Sequence, residues 1–188
     1  MELRVVRLQV QLDRLKPGLP PHRRYEPAVL QPVPALQLTP RGVIGIGEDG
    51  TEHVDVHHMD HPHSRNSKGR NGISIMTTGD YAALRERHGP HLTDGIAGES
   101  ILVDYAPGLA GRDLPERLTL GPLTLTGVHI AKPCVEFTRF CLRHEGPVDD
   151  AIRQGLKDLD GGARGYKMTT GGTGTITLGD RLRLVLQK

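Results

Sequence analysis

Hydrophobic and polar positions alternate near the start of the chain, where Val6, Leu8, Val10 and Leu12 are interleaved with Arg7, Gln9 and Gln11. A two-residue period puts the two sets on opposite faces, so this run predicts a half-buried strand. Short apolar runs recur at residues 43–47, at Ile73 and Ile75 around Ser74, at residues 101–103 and at Val128-His129-Ile130. Each predicts a strand of a few residues. Leu118 and Leu120, then Leu123 and Leu125, are split by Gly121-Pro122, a hairpin signal. Residues 166–169, 175–178 and 182–186 predict three more strands, joined at Gly171-Gly172 and Gly179-Asp180. Helical signals are fewer. Thr77-Thr78-Gly79-Asp80 has the spacing of a capping box ahead of helix formers at 81–88 and Gly89. Residues 134–142 and 148–159 suit two further short helices.

Two stretches carry no such pattern. Residues 16–40 hold seven prolines and read as extended, edge-like or loop structure. Residues 53–70 form a polar, histidine-rich segment after the Asp49-Gly50 turn signal, and a loop of that length is usually functional or disordered. Strands outnumber helices and do not alternate with them. The expected architecture is mainly β (mixed α/β), a closed or nearly closed β-barrel with a few short helices. No repeat, coiled coil or linker divides the chain, so residues 1–188 read as a single domain.

Composition narrows the function classes. The 24 glycines and 14 prolines fit many turns, while a net charge of +2, no Trp and 3% aromatics argue against a nucleic-acid partner. No apolar run approaches the roughly 20 residues of a membrane span, and Met1-Glu2-Leu3-Arg4 lacks a signal-peptide pattern. The expectation is a reduced, cytoplasmic protein without a membrane partner. Its only cysteines, Cys134 and Cys141, lie too close in sequence for a long-loop disulfide.

Cys134 follows Lys132-Pro133 at the end of a predicted strand. A thiol there can hold a soft metal or carry sulfur; the alternative is a small buried apolar residue. Cys141 lies two helical turns on, as a resolving thiol or a core residue. A second cluster is His53, His57, His58, His61 and His63. His57, His61 and His63, with Asp55 and Asp60 nearby, have enough ligands for zinc or iron. Pro62 prevents a regular helix through them, and solvated loop histidines are the competing reading.

Several segments fall into an order that resembles the MOSC family, the domain at the C-terminus of molybdenum cofactor sulfurases. Arg70-Asn71 with Ile73-Ser74-Ile75 resembles its Arg-Gln-Val-Ser-Leu strand. Asp94-Gly95-Ile96-Ala97-Gly98-Glu99-Ser100-Ile101 resembles its Gly-x-x-Gly-Glu-Asn-Leu segment, with Ser100 in place of Asn. Pro133-Cys134 matches its Pro-Cys, with Lys132 where Arg is frequent, and Arg164-Gly165 through Gly179-Asp180 resembles its closing glycine-rich pattern. The family's Gly-Asp-x-His region is replaced here by residues 47–53. The likeness runs from about residue 43 to residue 186, and residues 1–40 add a strand and a proline-rich extended segment.

The resemblance implies a barrel with a pocket and molybdenum cofactor or sulfur handling at Cys134. Catalytic and metal roles fall to Cys134, and cofactor-binding roles to Lys132, Arg164, Arg70, Asn71, Gly98, Glu99 and Ser100. Arg139 and Lys167 are further candidate partners of the cofactor phosphate. A sulfur donor or redox protein is an expected partner, and some relatives are oxo-molybdenum reductases. The chain lacks the aminotransferase-like domain with which full-length sulfurases abstract sulfur from cysteine. The alternatives are a metal-binding protein using the loop at residues 53–63 and an inert barrel acting as a binding module.

Overall fold

The structure, a computed structural model, describes residues 1–20, 22–64, 66 and 68–183. The first strands are β1 (Glu2–Gln11), β2 (Leu30–Pro32), β3 (Ala35–Thr39), β4 (Gly42–Ile46), β5 (Glu52–Val54) and β6 (Ile73–Thr77). Helix α1 (Thr78–His88) precedes β7 (Ile101–Asp104), β8 (Arg117–Leu120) and β9 (Leu123–Ile130). Helices α2 (Val135–Leu142) and α3 (Asp150–Asp158) are followed by β10 (Tyr166–Thr170), β11 (Gly174–Thr177) and β12 (Arg181–Arg183). Residues 184–186, the end of the last expected strand, lie outside the described residues.

Strand β1 pairs with three partners: Glu2–Arg4 with β12, Arg4–Leu8 with β7 and Gln9–Gln11 with β2. Its pairing with β12 closes a seven-stranded barrel in the order β12-β8-β9-β10-β6-β7-β1, in which β6 and β7 are the parallel pair. Closure removes the free edges an open sheet would expose. Strands β11, β3, β4 and β5 form a second, antiparallel sheet. The proline-rich segment thus contains two strands, β2 and β3, at the positions its extended reading allowed.

Alternation sorts side chains to the two sides of the barrel wall. Val5, Leu8, Ile73, Ile75, Ile101, Val103, Leu125, Tyr166 and Met168 share the interior core. Met76 and Leu102 belong instead to a second cluster with Tyr81, Leu84, Phe137 and Cys141, where α1 and α2 cover the outside of β6 and β7. The expected capping box at α1 is present, Thr77 Oγ1 accepting from the Asp80 N–H and Asp80 returning the bond. Gln9 and Gln11 depart from the simple alternation. Both are buried, because the segment before β7 covers that face: Gln9 Nε2 donates to the carbonyls of Gly95 (2.7 Å) and Glu99 (2.8 Å).

Gly165 sets the entry to β10. Its φ is +77°, and a Cβ there would lie 2.2 Å from the Ile75 carbonyl oxygen of β6. Only glycine permits both the left-handed backbone and this approach. Gly165→Ala is therefore expected to lower the urea-denaturation free energy by about 3 kcal/mol or more. Gly121→Ala has a similar φ of +55° but nothing within 4 Å, and should cost only about 1 kcal/mol. Equal losses would show that crowding against β6 is immaterial.

Candidate functional site

Outside the barrel wall, Lys167 of β10 sits opposite Ser74 of β6, because their neighbours Tyr166, Met168, Ile73 and Ile75 point inward. A cavity of about 270 Å³ opens above this pair. Its lining includes Asn71, Ser74, Gly98, Glu99, Lys132, Cys134, Arg164 and Lys167, together with Gln11 and His57. Residues 14–18, Arg23 and Tyr25 close it from the proline-rich segment. The β9–β10 register shifts beside Lys167, where Gly127 and Val128 face the single residue Met168. Such bulges re-aim side chains next to functional sites.

Cys134 is the N-cap residue of α2, in extended backbone, and its side chain makes no capping bond. Arg164 Nη1 donates toward Cys134 Sγ at 3.5 Å, and Nη2 donates to the Ala97 carbonyl at 3.0 Å. The guanidinium carbon lies 4.2 Å from the centre of the Phe137 ring. Stacking and hydrogen bonding together fix the fork, which lysine could not reproduce. Arg164 Nε is buried without a partner.

Six lining side chains are cationic (Arg14, Lys16, Arg23, Lys132, Arg164 and Lys167), and Glu99 is the sole acid. Burial, followed by the charges of Arg164 and Lys16, pushes the Lys167 ammonium down to about 8. The positive end of α2 adds to this field. Its chemistry favours an anionic ligand. Glu99 is fully enclosed: Tyr81 O–H donates to Oε2 at 2.7 Å, while Oε1 is buried with no partner. Loss of solvation pushes its carboxyl up to about 7, against the opposing Tyr81 bond.

The other expected site residues distribute unevenly. Lys132 is an exposed cation on the rim, and Gly98 turns at φ +84°. Asn71 accepts from His129 Nε2 at 3.0 Å while lining the cavity. Ser100 is buried outside the lining, where its hydroxyl meets that of Ser74 at 3.2 Å and ties β6 to the segment before β7. Arg70 is exposed and Arg139 lines a different cavity, so neither joins this group. Cys141 is a core residue, its thiol pushed up to about 12 by burial. The resolving-thiol reading has no geometric support.

The histidine loop is a bracket. His61 Nε2 donates to the Leu12 carbonyl (3.1 Å), and His63 Nδ1 donates to Asp13 Oδ1 (2.8 Å). His57 Nδ1 lies 3.1 Å from Asp55 Oδ1, while Asp55 Oδ2 accepts from the Gln11 N–H at 2.6 Å. Among the described residues no three His, Cys, Asp or Glu side chains are grouped to hold a metal ion. His61, His63 and Asp55 bond to residues 11–13, at the end of β1 and in the segment after it, while His57 bonds to Asp55 within the loop and lines the Cys134 cavity. Arg14, Lys16, Arg23 and Tyr25 were not among the expected site residues; their only signal was a scatter of basic residues in and just before the patternless, proline-rich stretch.

YuaD from Bacillus subtilis superposes on this chain with a TM-score of 0.62 at 14% identity, covering 97% of this chain and 94% of YuaD. YiiM from Escherichia coli gives 0.58 at 13% identity, over 100% of this chain and 71% of YiiM. YiiM from Geobacillus stearothermophilus gives 0.57 at 16%, over 98% and 75%. Both YuaD and YiiM are MOSC-domain proteins. The fold is MOSC-like. At these identities the likeness is one of fold; no family model matches the chain and no curated protein matches it significantly in sequence. The MOSC-like barrel carries its cavity on the outer wall, beneath the proline-rich segment. No helix among the described residues is long and apolar enough to cross a membrane.

Glu99 gives a pH test. Its folded pKa is raised, so the unfolded chain loses this proton first and native stability falls as pH rises from about 4.5 through about 7. Relative to Glu99→Gln, the wild type should lose on the order of 3 kcal/mol between pH 4.5 and 8, with the penalty complete above pH 7. Urea denaturation of both proteins across this range measures it. A difference that does not change with pH would contradict the buried-carboxyl account.

Proposed function

We propose that this chain is a MOSC-type module whose cavity binds molybdenum cofactor, with Cys134 as the protein thiolate and the surrounding cations on the cofactor phosphate. One observation carries the reading: of the two cysteines, the one outside the core lines a cavity with six cations and one acid. The donor set fits the group. Thiolate is a soft ligand suited to molybdenum, and Arg and Lys suit a phosphate. Glu99 Oε1 and Arg164 Nε are buried polar atoms left over for a ligand. Arg14, Lys16, Lys132 and Lys167 would hold the phosphate, Arg164 would fix Cys134 and its loop, and neutral Glu99 would donate a hydrogen bond. When bound, the cofactor supplies a redox-active metal, and the chain's own residues position it and exclude water.

A sulfur-carrier reading is favoured by the cavity's volume. At about 270 Å³ it lies just below the range of small-molecule sites, which runs from roughly 300 to 1,000 Å³. A persulfide needs only Cys134. Its thiolate attacks the outer sulfur of a donor persulfide, a new S–S bond forms, the donor S–S bond breaks and the donor leaves as thiolate. A sulfur-donor protein is then the implied partner, and a redox protein is the partner if the bound metal turns over.

The test is molybdenum and sulfane-sulfur analysis of wild type and Cys134→Ser, purified without chelators or a histidine tag. Serine at this N-cap can accept the N–H bonds that cysteine leaves unmade, so the variant should be as stable as wild type or more so, by up to about 1 kcal/mol. The reading expects molybdenum near one equivalent in wild type and none in the variant. Wild type that takes up a persulfide but no molybdenum would select the carrier. Equal contents of both in the two proteins would overturn both readings.

A further inference from the structure

A second cavity, of about 770 Å³, lies on the other side of the segment that covers the Cys134 site. Its walls are the segment 22–25, His91, α2 at Glu136, Arg139 and Phe140, and the turn at residues 143–147. Arg23 and Tyr25 line both cavities and so form the partition between them. Its volume lies within the range of small-molecule sites.

The lining combines rings and cations. Tyr25 and Phe140 have centroids 5.1 Å apart at 46°, and His91 stands 5.7 Å from Phe140 at 60°, leaving an angled aromatic wall. Four arginines, Arg23, Arg24, Arg139 and Arg143, face two acids, Glu136 and Glu145. Among the described residues Arg24 and Arg143 form no ion pair, with those acids or with any other. His91 Nε2 donates to the Phe140 carbonyl at 3.2 Å, and its buried Nδ1 has no partner.

Arg143 is held there against its backbone preference. It is the C-cap of α2 at φ 51°, ψ 42°, and among the described residues no other non-glycine has positive φ. Glycine is the usual occupant of such a position. The turn beyond it is pinned: His144 Nδ1 accepts from the Gly146 N–H at 3.0 Å, and His144 Nε2 donates to Asp149 Oδ2 at 2.8 Å. A long cation in a strained, braced turn at the mouth of an aromatic cavity points to recognition of charge.

We infer that this cavity is a second ligand site, distinct from the Cys134 cavity, for a small aromatic anion whose ring lies against Tyr25 and Phe140 and whose acidic group meets Arg24 and Arg143. Rings bound against aromatic walls gain offset or edge-to-face contact, and a guanidinium pairs with carboxylate, sulfonate or phosphate in two-point geometry.

The probe is naphthalene-2-sulfonate, titrated calorimetrically, with 2-naphthol as the uncharged ring of the same size. The sulfonate should bind one-to-one with Kd below about 1 mM, and 2-naphthol about tenfold more weakly. Arg143→Gly should weaken the sulfonate several-fold without lowering the melting temperature, since glycine suits the backbone there. Phe140→Leu should weaken both ligands. Cys134→Ser should bind the sulfonate as wild type does, whatever becomes of its molybdenum or persulfide. Equal binding of naphthol and sulfonate, full affinity in Arg143→Gly, or loss of binding in Cys134→Ser would overturn the inference.

Discussion

The guanidinium of Arg164 ties its own segment to two others far away in sequence, the start of α2 and the stretch ahead of β7. It stacks on Phe137 of α2, donates to the Ala97 carbonyl ahead of β7 and donates toward the Cys134 thiol. Its own backbone is set by Gly165, which passes so close to β6 that any side chain would strike the Ile75 carbonyl. The thiol, the buried carboxyl of Glu99 and the helix layer are thereby held around one cavity. Neither the barrel nor the helices would place Cys134 there by themselves.

Charge follows from the same arrangement. The barrel interior is filled by apolar side chains, so the polar members of β6 and β10 face outward. Lys167, enclosed there beside Arg164 and Lys16, holds its proton less tightly than a free lysine. An entering anion relieves that repulsion, so the empty cavity is electrostatically less favourable than the filled one. The single acid, Glu99, is shut away from water and holds its proton up to about pH 7, so at lower pH it does not neutralise the cavity's cations.

Much of this was readable from local pattern. Alternation located most barrel strands, Thr77 and Asp80 marked the start of α1, and the position of Cys134 after Pro133 drew attention to the thiol. Residues that depend on closure were not readable in the same way. Gln9 and Gln11 look solvent-facing by their period, but the segment at residues 95–99 folds over them. The histidines have the composition of a metal site and the geometry of a brace, because backbone and carboxylate partners at Leu12, Asp13 and Asp55 reach them first. Arg14, Lys16 and Arg23 carry no periodic signal; they line the cavity through the fold of the proline-rich segment and the residues just before it.

The most direct measurement is the rate at which iodoacetamide alkylates Cys134 at fixed pH and ionic strength, with chloride or with increasing pyrophosphate. Cys141 is buried, with its thiol raised to about 12, and will not confuse the reading. A cavity built to hold an anion against Cys134 predicts saturable protection by pyrophosphate in wild type and much weaker protection in Lys167→Met. Alkylation at the same rate with and without pyrophosphate would contradict it.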